Sequence, residues 1–216
     1  MNVIFDMDGL MLGTERICIQ AWDYAGEKMG IGKAGFMVLK TLGMNEAKAN
    51  EVWREEFGGR YDPAELRKYS EHFLSDFHQK NKVPVKKGLY ELLDYLKSNH
   101  AKMAVASSTP EWKVERNLQE AEVFHYFDGI IGGDMIEKSK PDPEIYLRAC
   151  ELLGADPEDT YALEDSKNGL LSAHRAGCRV IMVPDLWQPD EEVLQFVVGV
   201  YEDLLKVREA LKKRGN

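Results

Sequence analysis

The stretch V3-I-F-D-M-D-G-L-M-L-G-T-E15 decides how the rest of the chain is read. Three apolar residues, Val3 to Phe5, run straight into two carboxylates, Asp6 and Asp8, one residue apart. A short apolar run that ends in acid reads as a buried strand whose C-terminal end emerges from the core. Two like charges this close repel each other, so a cation or a chemical step must stand behind them.

Further runs of the same kind follow at Met103 to Ala106, Gly129 to Ile131, Tyr161 to Leu163 and Val180 to Val183. Amphipathic helical stretches lie between them. Leu89, Leu92, Leu93 and Leu96 follow the i, i+3, i+4, i+7 spacing, as do Tyr146, Ala149, Cys150 and Leu153, with Gly154 placed to end the second helix. Buried strands alternating with helices predict an α/β fold built on a doubly wound parallel sheet. The segment 14–83 breaks that alternation. Leu66, Tyr69, Phe73 and Phe77 form one helical stripe, and Val52, Trp53 and Phe57 belong to another that stops at Gly58-Gly59. The segment is too long for a plain crossover. It is read as a helical insertion after strand 1, which leaves 1–13 and 84–216 to form the sheet core. Ligands bind beyond the carboxyl ends of strands in such sheets, so an insertion rooted there would cover the site as a lid.

Composition narrows the function. The chain has 216 residues, 44% hydrophobic and 30% charged, with a formal net charge of −9 and a pI near 5.2. Nucleic acid is not an expected partner, because a phosphate backbone demands a basic face. Cys18, Cys150 and Cys178 are odd in number and lack metal-ligand spacing, which favours reduced thiols over a disulfide framework or zinc. No transmembrane span or signal peptide is read, so no membrane association and a cytoplasmic location are expected.

Four separated pieces fall at the C-terminal ends of strands or in the loops that follow: Asp6 and Asp8; Ser107-Ser108-Thr109; Lys140-Pro141; and Glu164-Asp165. Any one alone is ordinary. A lone DxD is common, and Ser-Ser-Thr-Pro is a good helix start with Pro110 in the first turn. A parallel sheet, however, gathers all four along one edge. Asp6, Asp8, Glu164 and Asp165 then offer hard oxygen ligands suited to Mg²⁺. Ser107 and Ser108, with the amides that open the following helix, can cradle phosphate. Lys140 adds positive charge for both the phosphate and the acids. A carboxylate so held can attack phosphorus, and a second acid two residues on can shuttle the proton.

These motifs resemble those of the haloacid dehalogenase superfamily, in its β-phosphoglucomutase-like phosphatase branch. The opening pattern is present as VIFDMDGLMLGTE, the second motif as AVASST, and the third and fourth as KPDPEIY and ALEDSKNG, followed by AHRAGCRVIMVPD. The resemblance covers nearly the whole chain and implies a Rossmann-like core with a helical cap. It implies Asp6 as nucleophile and Asp8 as general acid/base, with the Asp8 carbonyl also ligating Mg²⁺. Ser107 and Lys140 would hold the phosphoryl group, and Asp165 would complete the metal site beside Glu164. The expected function is Mg²⁺-dependent hydrolysis of a small phosphorylated metabolite, a sugar phosphate, by a monomer or small homo-oligomer. Substrate recognition in this family often involves a cap loop, which marks Lys40, although a solvated surface lysine is the simpler account.

Rival readings are a hexose-phosphate mutase, a phospho-receiver domain and an inactive binding relative. The mutases carry histidine twelve residues after the nucleophile, where this chain has Cys18; the simplest reading of that thiol is a buried apolar residue facing Ile17 and Ala21. Receiver domains do not place DxDG on the first strand, and an inactive relative would not fill every catalytic position. A second departure is Gly13, where the family usually has Asp. Loss of that carboxylate at the entry to the cap is expected to loosen the junction, with Thr14 left to cap the first helix. Gly13→Asp should therefore change the mobility of 14–83 with catalysis retained. Unchanged hydrogen exchange across that segment together with unchanged turnover would refute the expectation.

Overall fold

The computed structural model describes residues 1–214. Six strands, β1 (Asn2–Phe5), β2 (Lys102–Ala106), β3 (Gly129–Ile131), β4 (Thr160–Glu164), β5 (Arg179–Met182) and β6 (Gly199–Val200), form one sheet. All neighbours pair in parallel, in the order β3-β2-β1-β4-β5-β6. Five of the strands coincide with the apolar runs to within a residue or two at their ends. The sixth is only two residues long and only partly buried, too short to show a hydrophobic period.

β1 lies at the centre, with Val3 opposite Met103 on one side and Tyr161 on the other. The side-chain alternation of a strand splits it between two cores. Val3 and Phe5 pack into the cluster formed with α5 (Leu89–Ser98), α6 (Glu111–Glu120) and α10 (Leu204–Arg214). Ile4 points the other way, into the cluster under α7 (Glu144–Leu153) and α8 (Lys167–Arg175). The leucine stripe of α5 is fully buried, and α7 ends at Gly154 in the left-handed conformation, φ 58°. One short helix, α9 (Glu191–Leu194), completes this half of the chain.

Between β1 and α5 come α1 (Thr14–Lys28), α2 (Met37–Thr41), α3 (Glu46–Phe57) and α4 (Pro63–Lys80), and the segment contains no sheet strand. α1 packs chiefly on α4. The four helices have an apolar centre of their own around Trp53, which is stacked on Phe57 and Tyr61 and met edge-on by Trp22. Phe73, Leu74 and Phe77 of α4 instead lie against the sheet's cluster. The segment leaves and re-enters side by side. Leu12 bridges Val85, Gly13 N–H donates to the Pro84 carbonyl at 2.7 Å, and Arg16 and Lys86 both pair with Asp185 at 2.9 Å.

α1 corrects one expectation. Gly13 is its N-cap with no side-chain bond, and Thr14, already inside the helix, sends its hydroxyl to Asp8 rather than to the helix amides. Pro110 likewise sits just before α6, and Asp134 Oδ1 accepts the first amide of that helix, from Glu111, at 2.8 Å. Leu92, 0% exposed in α5, offers a direct test of the sheet's packing. Leu92→Ala is expected to cost about 2–5 kcal/mol, measured by urea denaturation with phosphate binding retained by the folded fraction.

Candidate active site

The strand order switches sides at β1, with β2 and β3 on one side and β4 to β6 on the other, and such a switch leaves a crevice beyond the C-terminal ends of the strands. Asp6 N–H bonds the Leu163 carbonyl at 3.0 Å, which extends the β1–β4 ladder by one residue and fixes the Asp6 side chain at the crevice floor. The following turn needs Gly9. Its φ is +84°, and a Cβ there would stand 2.2 Å from Asp165 Oδ2. The glycine thus lets the first and fourth strand ends approach each other.

Lys140 is 1% exposed and donates to Asp6 Oδ1 at 2.6 Å, Glu164 Oε1 at 2.5 Å and the Ala106 carbonyl at 3.1 Å. Burial works against its charge, but the two carboxylates outweigh that effect and hold its pKa above the ordinary lysine value. Tyr146, fully buried on α7, donates its hydroxyl to the same Glu164 oxygen at 2.6 Å. The other oxygen, Oε2, accepts from the Asp165 and Ser166 amides and the Ser166 hydroxyl. Five donors occupy Glu164, and a Cβ on Gly169 would collide with it at 1.9 Å. This carboxylate is a locked strut.

Asp165 differs sharply. It is 1% exposed and neither carboxylate oxygen has a hydrogen-bond donor. Its pKa is driven well up by burial and then by the negative charge of Glu15, Asp6 and Glu164; that of Asp6 is also raised well above the ordinary value, first by burial and then by Glu164. One oxygen each from Asp6, Glu164 and Asp165 lies within 4.8 Å of the others. Three buried acids facing one lysine, with two oxygens unpartnered, form a donor set that a hard divalent cation would satisfy. The fit is therefore good for Asp6 and Asp165, with Glu164 acting through its hold on Lys140 and on the Asp165 loop.

Asp8 points away from this cluster. Its Oδ1 accepts from Thr14 Oγ1 at 2.5 Å, and its Oδ2 accepts from Thr109 Oγ1 at 2.8 Å and Ser107 Oγ at 3.2 Å. Ser107 is fully buried, whereas Ser108 donates its hydroxyl to the Gly43 carbonyl in the helical segment at 2.8 Å. Of the residues picked from the sequence, Asp6, Asp8, Ser107, Ser108, Lys140, Glu164 and Asp165 therefore meet at one sheet edge. Lys40 does not join them. It is exposed, bonded to Glu56 and lying over the Phe36 ring.

A cavity of about 160 Å³ opens above Asp6, Asp8 and Asp165. Its roof is made by α1 and by the end of α2, including Cys18, Trp22, Val38 and Leu42. Cys18 thus lines the cavity instead of lying wholly within the helix packing. Its thiol is pushed up to about 12, by burial and then by the charges of Asp8 and Glu15, and stays neutral. Three contributors escaped the sequence reading: Thr14 and Thr109 as partners of Asp8, and Tyr146 as a partner of Glu164. Glu15 is a fourth. It is 8% exposed with Oε2 unpartnered, and burial followed by Asp8 and Asp6 raises its pKa to about 9.

Comparison with known proteins agrees with this geometry. The haloacid dehalogenase-like hydrolase family matches residues 3–183. A phosphorylated carbohydrates phosphatase of Thermotoga maritima is 32% identical over 181 residues, covering 81% of each chain. Phosphoglycolate phosphatase 1 of Pseudomonas aeruginosa is 31% identical over 184 residues, 82% of this chain and 66% of that one. The crystal structure of β-phosphoglucomutase from Clostridium difficile superposes with a TM-score of 0.82 at 21% identity, covering 98% of this chain and 95% of that chain, and shows the shared fold. The catalytic edge, the helical segment above it and these relatives agree: the chain belongs to the haloacid dehalogenase-like hydrolases, in the branch of phosphatases and β-phosphoglucomutase-like proteins.

Proposed function

We propose that this hydrolase is a Mg²⁺-dependent phosphatase acting on a small phosphorylated carbohydrate, with Asp6 as the nucleophile. The observation that carries the reading is the asymmetry of Asp6. Lys140 holds Oδ1 at 2.6 Å, while among the described residues Oδ2 accepts no hydrogen bond, and Asp6 forms part of the cavity floor. One oxygen is anchored and the other is available for in-line attack. When bound between Asp6 and Asp165, Mg²⁺ would neutralise charge on the carboxylates and on the phosphoryl oxygens.

Asp6 forms the new O–P bond as the bond from phosphorus to the leaving oxygen breaks, and Asp8 gives its proton to that oxygen. Asp8 then takes a proton from water, whose oxygen attacks phosphorus, freeing phosphate and regenerating Asp6. The three hydroxyls on Asp8 suit this traffic, since each can donate to the carboxylate or accept from the carboxyl. Lys140 supplies fixed positive charge to the phosphoryl group throughout, and Ser107 steadies Asp8 from a fully buried position. The segment 14–83 serves as the cap that excludes water during the first step.

Phosphatase is favoured over mutase because the residues lining the cavity include no Lys, Arg or His. A mutase must turn a bisphosphate around in its site, and the second phosphate would find no cation among the lining residues. The relative named for phosphorylated carbohydrates supports a sugar phosphate as substrate.

Asp6→Asn should lower phosphate release by about 10³-fold or more while the protein still binds inorganic phosphate. Turnover retained within tenfold of the unaltered chain would remove Asp6 as nucleophile. Mg²⁺ is expected to raise the melting temperature through its preference for the folded acid cluster. Asp165→Asn should abolish that rise, and an undiminished shift would place the metal elsewhere.

A further inference from the structure

The loop between α2 and α3 touches the sheet edge through its backbone. The Leu42 carbonyl accepts from Asn168 Nδ2 and the Gly43 carbonyl from Ser108 Oγ, both at 2.8 Å. These carbonyls follow the last turn of α2, where helix geometry supplies no partner of its own. A side chain from the loop after β2 and one from the first turn of α8 therefore grip two consecutive peptide groups. The approach is close. Gly43 has φ +71°, and a Cβ there would lie 2.7 Å from Ser166 Oγ and 3.2 Å from Asn168 Cβ.

Both gripping residues are neighbours of catalytic groups. Ser108 lies between Ser107 and Thr109, which hold Asp8. Asn168 is the second residue of α8, two residues after Ser166, whose hydroxyl and amide hold Glu164. The position of loop 42–44 is thus referenced to the two loops that orient the proton carrier and the lysine strut. Leu42, Gly43 and Met44 in turn form one wall of the cavity.

We propose that Asn168 and Ser108 are positioning residues that dock loop 42–44, and that the docked wall favours substrates with one phosphate on an uncharged leaving alcohol. This rests on the phosphatase reading above. Once the loop is docked, the leaving group meets Leu42, Met44, Val38 and Trp22, together with the neutral Cys18 thiol and the Thr41 hydroxyl. A second phosphate would be desolvated there with no cation among the lining residues to pair it.

The experiment compares fructose 6-phosphate with fructose 1,6-bisphosphate on the unaltered protein and on Asn168→Asp and Asn168→Gln, with Mg²⁺ present. Hydrogen exchange of 36–46 is followed in parallel without substrate. Aspartate keeps the shape of asparagine but cannot donate to the Leu42 carbonyl, whereas glutamine keeps the donor. Asn168→Asp is expected to speed exchange in 36–46 and to raise KM by about tenfold with a smaller change in kcat, in line with one lost hydrogen bond and an added repulsion. Asn168→Gln should restore part of both effects. The monophosphate should exceed the bisphosphate in kcat/KM by about tenfold or more. Unchanged exchange and KM in Asn168→Asp, or preference for the bisphosphate, overturns the proposal. If Asn168→Asp does not fold, Gly43→Ala replaces it, with the same exchange and KM effects expected from the displaced loop. Absence of phosphate release by the unaltered protein from any phosphomonoester overturns the phosphatase reading and with it the substrate claim, while the exchange data still decide whether Asn168 docks the loop.

Discussion

Lys140, fully buried between Asp6 and Glu164, is the contact on which the rest of this molecule depends. An ammonium group away from water is costly unless it is paired and hydrogen-bonded. Here two carboxylates and the Ala106 carbonyl take its three protons. The lysine joins the ends of β1, β2 and β4 at a point where the apolar strands can do nothing for one another. Removing either carboxylate would leave the cation partly unpaired, and removing the lysine would set buried acids against each other. The geometry of the catalytic edge is therefore as tightly specified as that of the apolar core beneath it.

The remaining side chains follow from that arrangement. Glu164 is saturated by Lys140, Tyr146, Ser166 and two amides, and it stabilises the turn that presents Asp165. Asp165 is then left with two unpartnered oxygens in a buried setting, a state that a cation or a proton would relieve. Asp8 stands outside the lysine's reach and is served by hydroxyls instead. Two aspartates one residue apart thus meet different environments, one cationic and buried, the other hydroxyl-lined and only partly buried. In the proposed mechanism, that difference divides the nucleophile from the proton carrier.

The helical segment joins the site by two kinds of contact. Its entry and exit are held by paired backbone groups and by Asp185, which receives both Arg16 and Lys86. Its far loop meets the core through hydrogen bonds to carbonyls. Between these anchors the segment packs around its own apolar centre at Trp53.

Much of this was legible in the amino-acid order. Strand runs are local patterns, and Asp6, Asp8, Glu164 and Asp165 follow directly on two of them, so the parallel sheet and the convergence of these acids could be read from the runs, whereas Lys140, nine residues beyond Ile131, was marked by its motif. The two-residue β6 could not, because no period exists in so short a run. Thr14, Thr109 and Tyr146 were hidden for another reason: a hydroxyl declares its partner only when a distant carboxylate arrives beside it, and their acids lie 6, 101 and 18 residues away. Cys18 and Lys40 show the same limit. Both belong to amphipathic helices whose pattern says which face is apolar, but only the docking of α1 and α2 over the sheet edge decided that Cys18 faces the cavity and Lys40 pairs with Glu56 outside it. The sequence by itself determined the chemistry available at the strand ends, because backbone periodicity is local. The tertiary structure alone decided the cavity's wall and the partners of each acid, because those depend on packing between segments far apart in the chain.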